Sequence, residues 1–171
     1  MKKMYKLVVL LGFLTIPNFT LAQEYSRQNI GVGLGIDYGG IGAKFTFLPV
    51  QKFGFFGSLG YNLIGLGFNA GATYRFIPTK SVCPTLGAMY GYNGVIKVEG
   101  GNESNKIYYG PSFSAGVELK SRGSSNFWNF ELILPLRPSK FQYDIKSLKN
   151  NGYTVTEPLP IAFSVAYHFG F

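Results

Sequence analysis

A two-residue alternation of apolar with small or polar side chains runs through most of the chain after residue 22, and it constrains the fold more than any motif does. Successive side chains on a β-strand point to opposite faces, so sustained alternation marks a strand whose two faces meet different surroundings. From residue 30 the even positions read Ile30, Val32, Leu34, Ile36, Tyr38 and the odd ones Gly31, Gly33, Gly35, Asp37. The next segment sets Ile41, Ala43, Phe45 and Phe47 against Gly42, Lys44 and Thr46. The same pattern recurs over 53–62, 66–76, 85–93, 107–119, 127–134 and 159–171, with Phe127 and Ile133 as apolar exceptions on a polar face. Eight strands are expected, and neither helical periodicity nor an apolar run long enough for a membrane helix is found after residue 22.

Composition decides which face meets solvent. A soluble barrel turns its apolar face inward and its charged face to water, yet only 14% of the residues are charged, while 17% are aromatic and 23 are glycine. Soluble domains usually carry about 25% charged residues. The polar faces here hold Gly, Ser, Thr and Asn with an isolated charge per strand, which suits a cramped interior. The other faces are nearly continuous Leu, Ile, Val, Phe and Tyr, which suits hydrocarbon. The expected fold is all-β: an eight-stranded antiparallel up-and-down transmembrane β-barrel. Closure is required, because an open sheet edge in lipid leaves backbone groups unpaired.

The first 22 residues read differently. Lys2, Lys3 and Lys6 precede an apolar run from Leu7 to Ile16 and the small-residue ending Thr20-Leu21-Ala22, the order of a cleavable secretory signal. The domains expected are a signal peptide over 1–22 and a barrel over 23–171. Setting those three lysines aside from the 16 basic residues leaves 13 against 8 acidic ones, scattered along the chain. Nucleic-acid binding needs a clustered basic patch and is not expected. Cys83 stands alone, so an intrachain disulfide is excluded and the thiol is read as structural.

Connections fall into two sets. Those after the second, fourth and sixth strands are short, whereas residues 95–105 and 138–157 form long polar loops. Short periplasmic turns and longer extracellular loops follow this pattern in transmembrane barrels, placing both termini in the periplasm. Tyr38, Tyr61, Tyr92 and Tyr109 are then expected at the outer rim, where amphipathic rings favour the interface. In the last loop Lys140, Lys146 and Lys149 outnumber Asp144, and Phe141, Tyr143, Ile145 and Leu148 between them are read as extending the last two strands into a hairpin.

Inward positions collect Lys44, Arg75, Glu118, Glu131 and His168, with Asp37 towards the outer end. Eight strands leave an interior filled by its own side chains, so these groups are expected as a structural polar network rather than an ion path. The heights of the residues predict pairs of Lys44 with Glu131 and of Arg75 with Glu118. The glycines of the inner wall either admit close backbone approach or leave a small cavity.

With its signal, eight alternating strands and the ending Tyr167-His168-Phe169-Gly170-Phe171, the chain resembles small outer-membrane barrels of the OmpX and OmpA-barrel type. The resemblance implies that Tyr167, Phe169 and Phe171 serve as the C-terminal assembly signal for the barrel-assembly machinery. It implies location in the bacterial outer membrane, among lipid and lipopolysaccharide, as a monomer. It carries no catalytic motif, no cofactor and no metal. Short loops after the first and third strands depart from OmpX. The expected function is a non-enzymatic membrane barrel with a structural or surface-binding role through its long loops. Two alternatives are a narrow channel or lateral path for small hydrophobic molecules, and a lipid A-modifying enzyme. The enzyme fares poorly because the chain's single histidine, His168, lies inward near the periplasmic end.

Overall fold

Each alternating segment folds as one strand in the computed structural model, which describes residues 26–62, 64–96, 106–153 and 158–171. The export signal expected over 1–22 lies outside these residues, as do 97–105 and 154–157 of the long loops. The strands are β1 (Gln28–Gly35), β2 (Gly40–Val50), β3 (Phe53–Asn62), β4 (Gly65–Arg75), β5 (Val82–Ile96), β6 (Lys106–Lys120), β7 (Phe127–Pro135) and β8 (Ala162–Gly170). Every neighbouring pair is antiparallel, and β8 returns to β1 to close the barrel. The seam between first and last strand extends beyond the ladder, where Gln28 and Phe171 exchange backbone hydrogen bonds of 3.3 and 2.9 Å.

Parity sorts the side chains as the alternation requires. Val32, Leu59, Leu86, Phe113, Leu132 and Phe163 are each at least half exposed on the outer wall. Lys44, Arg75, Thr85, Ser112, Glu118, Asn129, Glu131 and His168 are buried inside it. The two apolar exceptions also point inward: Phe127 stacks on His168 with ring centroids 4.6 Å apart, and Ile133 packs with Phe56 and Met89. Tyr167, Phe169 and Phe171 lie on the outer wall along the part of β8 that runs towards the seam of Gln28 with Phe171, and the Trp128 ring lies 5.1 Å from that of Tyr167.

Three departures from simple alternation shape the opposite, far end. Ile36–Tyr38 leaves the strand as a 3₁₀ turn, with Gly39 in the left-handed region at φ 70° returning the chain to β2. Tyr38 is therefore buried in the lumen, not at the rim. Tyr92 is also buried rather than rim-exposed, and just beyond it a bulge between Tyr92 and Gly94 interrupts the β5–β6 register. Tyr61 is exposed and Tyr109 partly exposed, as rim positions should be.

The third departure is in the last long loop. Instead of a hairpin, Ser139–Asn150 forms helix α1. Phe141, Asp144, Ile145 and Leu148 recur at helical spacing and make its buried face. That face packs against Ile96 and Tyr108, on the side of the β5–β6 extension that lines the interior lower down. Phe141 meets Tyr108 edge-on with centroids 4.9 Å apart, Arg137 lies over the Phe141 ring, and the Tyr108 hydroxyl donates to Asp144 at 2.5 Å. The helix and the strand extension form one lobe at the far end.

Candidate functional site

The lumen gathers the polar side chains into one cluster. Lys44, Arg75, Glu118, Glu131 and His168 all line a single small cavity, with Asn29, Thr46, Thr73 and Asn129 between them and Leu48 and Phe127 among its apolar walls. About 20 Å³ is available there to the centre of a water molecule, enough for one water or two. Five different strands (β2, β4, β6, β7 and β8) supply the titratable groups, each at an inward parity position.

The pairing inside follows chemistry rather than height alone. Arg75 presents Nε and Nη2 to the same Glu118 oxygen, at 3.0 and 2.6 Å, with both side chains almost fully buried. The pair expected between Lys44 and Glu131 is not formed. Lys44 pairs with Asp37, which the 3₁₀ turn carries down into the lumen, and its ammonium lies over the rings of Tyr38 and Phe56 at 4.3 and 4.7 Å. Glu131 instead accepts from Asn129 Nδ2 at 2.9 Å.

His168 has both ring nitrogens engaged. Nδ1 lies 2.7 Å from Asn29 Oδ1 and Nε2 lies 2.6 Å from the Tyr38 hydroxyl. An amide oxygen can only accept, so Nδ1 donates to Asn29, while the Tyr38 hydroxyl can donate to Nε2 or accept from it. The ring is held flat against Phe127.

The 3₁₀ turn acts as a plug. Ser58 Oγ donates to the Asp37 carbonyl at 2.6 Å, and Asn69 Nδ2 donates to the Ile36 carbonyl at 2.8 Å. With Lys44 and His168, side chains from β2, β3, β4 and β8 hold its three residues. The glycines of the inner wall make room for it. A Cβ on Gly42 or Gly60 would collide with the Tyr38 carbonyl, one on Gly67 with Gly39, and one on Gly31 with the His168 ring. Close backbone approach therefore accounts for these inward glycines, and the residual cavity is small. Alternation alone missed the plug; its signal was glycine at 35, 39 and 40 around a lone Asp37.

Among the described residues no group of three or more His, Cys, Asp or Glu side chains is placed to hold a metal ion. Cys83 is buried and unpaired.

No protein-family model matches the chain, and no curated protein matches it in sequence. Among solved structures it is similar to the N-terminal β-barrel domain of Pseudomonas aeruginosa OprF. The superposition has a TM-score of 0.53 at 10% identity and covers 86% of this chain and 100% of that one. At that identity the likeness is one of fold: an eight-stranded antiparallel β-barrel.

Proposed function

We propose that the chain is an integral outer-membrane β-barrel without enzymatic activity, plugged in its lumen, with a structural or surface-binding role carried by the far-end lobe. The observation that carries this is the outer wall: a closed barrel whose large apolar side chains are half exposed on every strand. Such a wall is stable against hydrocarbon and aggregation-prone in water. Export through the 1–22 signal and assembly through Tyr167, Phe169 and Phe171 belong to the same proposal. The termini would face the periplasm and the α1 lobe the outside, among lipid and lipopolysaccharide.

Two features favour a closed, non-catalytic barrel over the alternatives. The Ile36–Tyr38 plug and the paired charges beneath it fill the lumen, which opposes an axial channel. The single histidine spends both nitrogens on Tyr38 and Asn29, leaving neither to activate a nucleophile.

Electrophoresis of outer-membrane fractions, with and without boiling, tests the proposal. A folded barrel resists SDS until heated and changes apparent size on boiling; recovery in the soluble periplasm with no heat shift would overturn it. Planar-bilayer recordings of the purified barrel should stay silent, and discrete openings at low dose would restore the channel.

A further inference from the structure

Between β4 and β5 the wall changes character. Their ladder runs from Arg75↔Thr85 to Asn69↔Gly91 and ends there, although β4 continues to Gly65 and β5 to Ile96. Above Gly91, β5 stays with β6 through the bulge. Gly65 to Phe68 therefore present a strand edge of roughly 13 Å with no β5 partner. Backbone groups on an edge without a neighbouring strand need other partners.

Side chains close that stretch. Tyr109 of β6 reaches past β5, its hydroxyl donating to the Leu66 carbonyl at 3.3 Å and its ring centroid 4.9 Å from that of Phe68. Ile107 covers Gly65, with Cδ1 3.1 Å from where a Cβ would stand. A single long hydrogen bond and ring contacts part more easily than a backbone ladder.

On the inner side, three consecutive strands each contribute an asparagine: Asn62 on β3, Asn69 on β4 and Asn93 on β5. They are 5%, 2% and 0% exposed. Both amide atoms of Asn62, Oδ1 of Asn69 and Oδ1 of Asn93 have no hydrogen-bond partner among the described residues. Asn62 Nδ2 lies 3.1 Å from the Cβ position of Gly67, and Asn69 Oδ1 lies 2.5 Å from that of Gly91, so the orphaned groups of these two flank the place where the ladder stops, while Asn93 turns its Nδ2 to Pro111, Ser112 and Leu136. Buried polar groups are nearly always paired, and a cluster of exceptions behind a side-chain latch points to a ligand.

We infer that the β4–β5 seam binds a single-chain amphiphile whose uncharged head both donates and accepts hydrogen bonds, as a primary carboxamide does. The chain lies on Leu66, Phe68 and Tyr109 of the outer wall. The head passes the Tyr109 latch and reaches Asn62 and Asn69. Asn62 offers both a donor and an acceptor, so a head with both is needed to satisfy it. A charged head would lose its water in this stretch, and Lys44 and Asp37 are already paired with each other. The site deepens the proposed function and draws on it for the lipid phase that delivers the ligand.

The test is photolabelling of the full chain in lipid nanodiscs with a decanamide that carries a diazirine on its chain, read by mass spectrometry. Label should concentrate at 66–68 and 107–109, and unlabelled decanamide should remove it while decane does not. Asn62→Leu should lower that labelling about tenfold with the heat shift intact, the scale expected when a head loses buried hydrogen bonds. Even labelling around the outer wall, or equal competition by decane, overturns the site in the wild-type protein without recourse to any variant. Repeating the labelling in micelles separates the two proposals. Seam labelling of a chain that is absent from outer-membrane fractions would overturn the membrane assignment and leave the site standing.

Discussion

Replacing Glu118 by Leu strands the Arg75 guanidinium, which is 5% exposed and donates both of its described hydrogen bonds to that one carboxylate. Breaking a buried pair from one side costs roughly 3 to 5 kcal/mol, whereas replacing both halves by apolar residues is often nearly neutral. Glu118→Leu should therefore lower the denaturant midpoint of the refolded barrel sharply, and Arg75→Met with Glu118→Leu should recover most of the loss. Lys44 gives a second contrast. Asp37→Asn removes its partner and should destabilise strongly, while Glu131→Gln keeps a side chain that Asn129 can still serve and should move the midpoint little. A larger loss from Glu131→Gln than from Asp37→Asn would return Lys44 to Glu131. The Arg75–Glu118 pair was legible in the sequence because both residues lie in unbroken alternation, so parity and height place them together. The Lys44 partner was not legible, because alternation carried through Tyr38 leaves Asp37 near the outer end. Only the chain's departure at Gly35 brings that carboxylate down to the ammonium.

At the scale of elements, α1 shows how a short alternation deceives. Phe141, Tyr143 and Ile145 alternate over five residues and read as a strand, but Leu148 and the buried Asp144 fit only a helical face. The structure buries 141, 144, 145 and 148 and leaves Tyr143 exposed. The lobe carries a pH dependence of known sign. The hydrogen bond donated by Tyr108 holds the Asp144 carboxyl below its usual value of 3.8; Lys106, 3.4 Å away, works in the same direction and burial works against both. A carboxyl lowered on folding contributes stability that is fully present above its unfolded value and is lost as pH falls through the folded one. Amide protection factors in α1, with the intrinsic pH dependence of exchange divided out, should therefore stay constant from neutral pH down to about pH 5 and fall below about pH 4. Tyr108→Phe removes the donor, so its α1 amides should exchange faster at neutral pH and show a smaller acid step. An acid step of unchanged size in that variant would remove Tyr108 as its origin.

For the molecule as a whole, strand number and closure were legible because they follow from parity repeated eight times, and parity is a local property of the backbone. The β4–β5 seam and the plug were not, since both arise where a strand keeps its inward and outward faces but loses its neighbour, or leaves the sheet altogether. The outer wall is the property that belongs to no single strand, and it separates a membrane barrel from a soluble one by a substitution that would be harmless in water. Val32 and Leu132 stand midway along β1 and β7, more than half exposed. In water, arginine at either position would replace an exposed apolar side chain with a solvated one and leave folding unchanged or improve solubility. At the middle of a bilayer it costs roughly 2 to 4 kcal/mol, and near the interface about 0 to 1. Val32→Arg and Leu132→Arg should each lower the folded fraction on refolding into lipid vesicles, while Gln51→Arg, in the exposed β2–β3 turn, should not. A depth-dependent penalty of this form requires hydrocarbon around the barrel waist, and equal refolding of all three variants would show that this wall faces water.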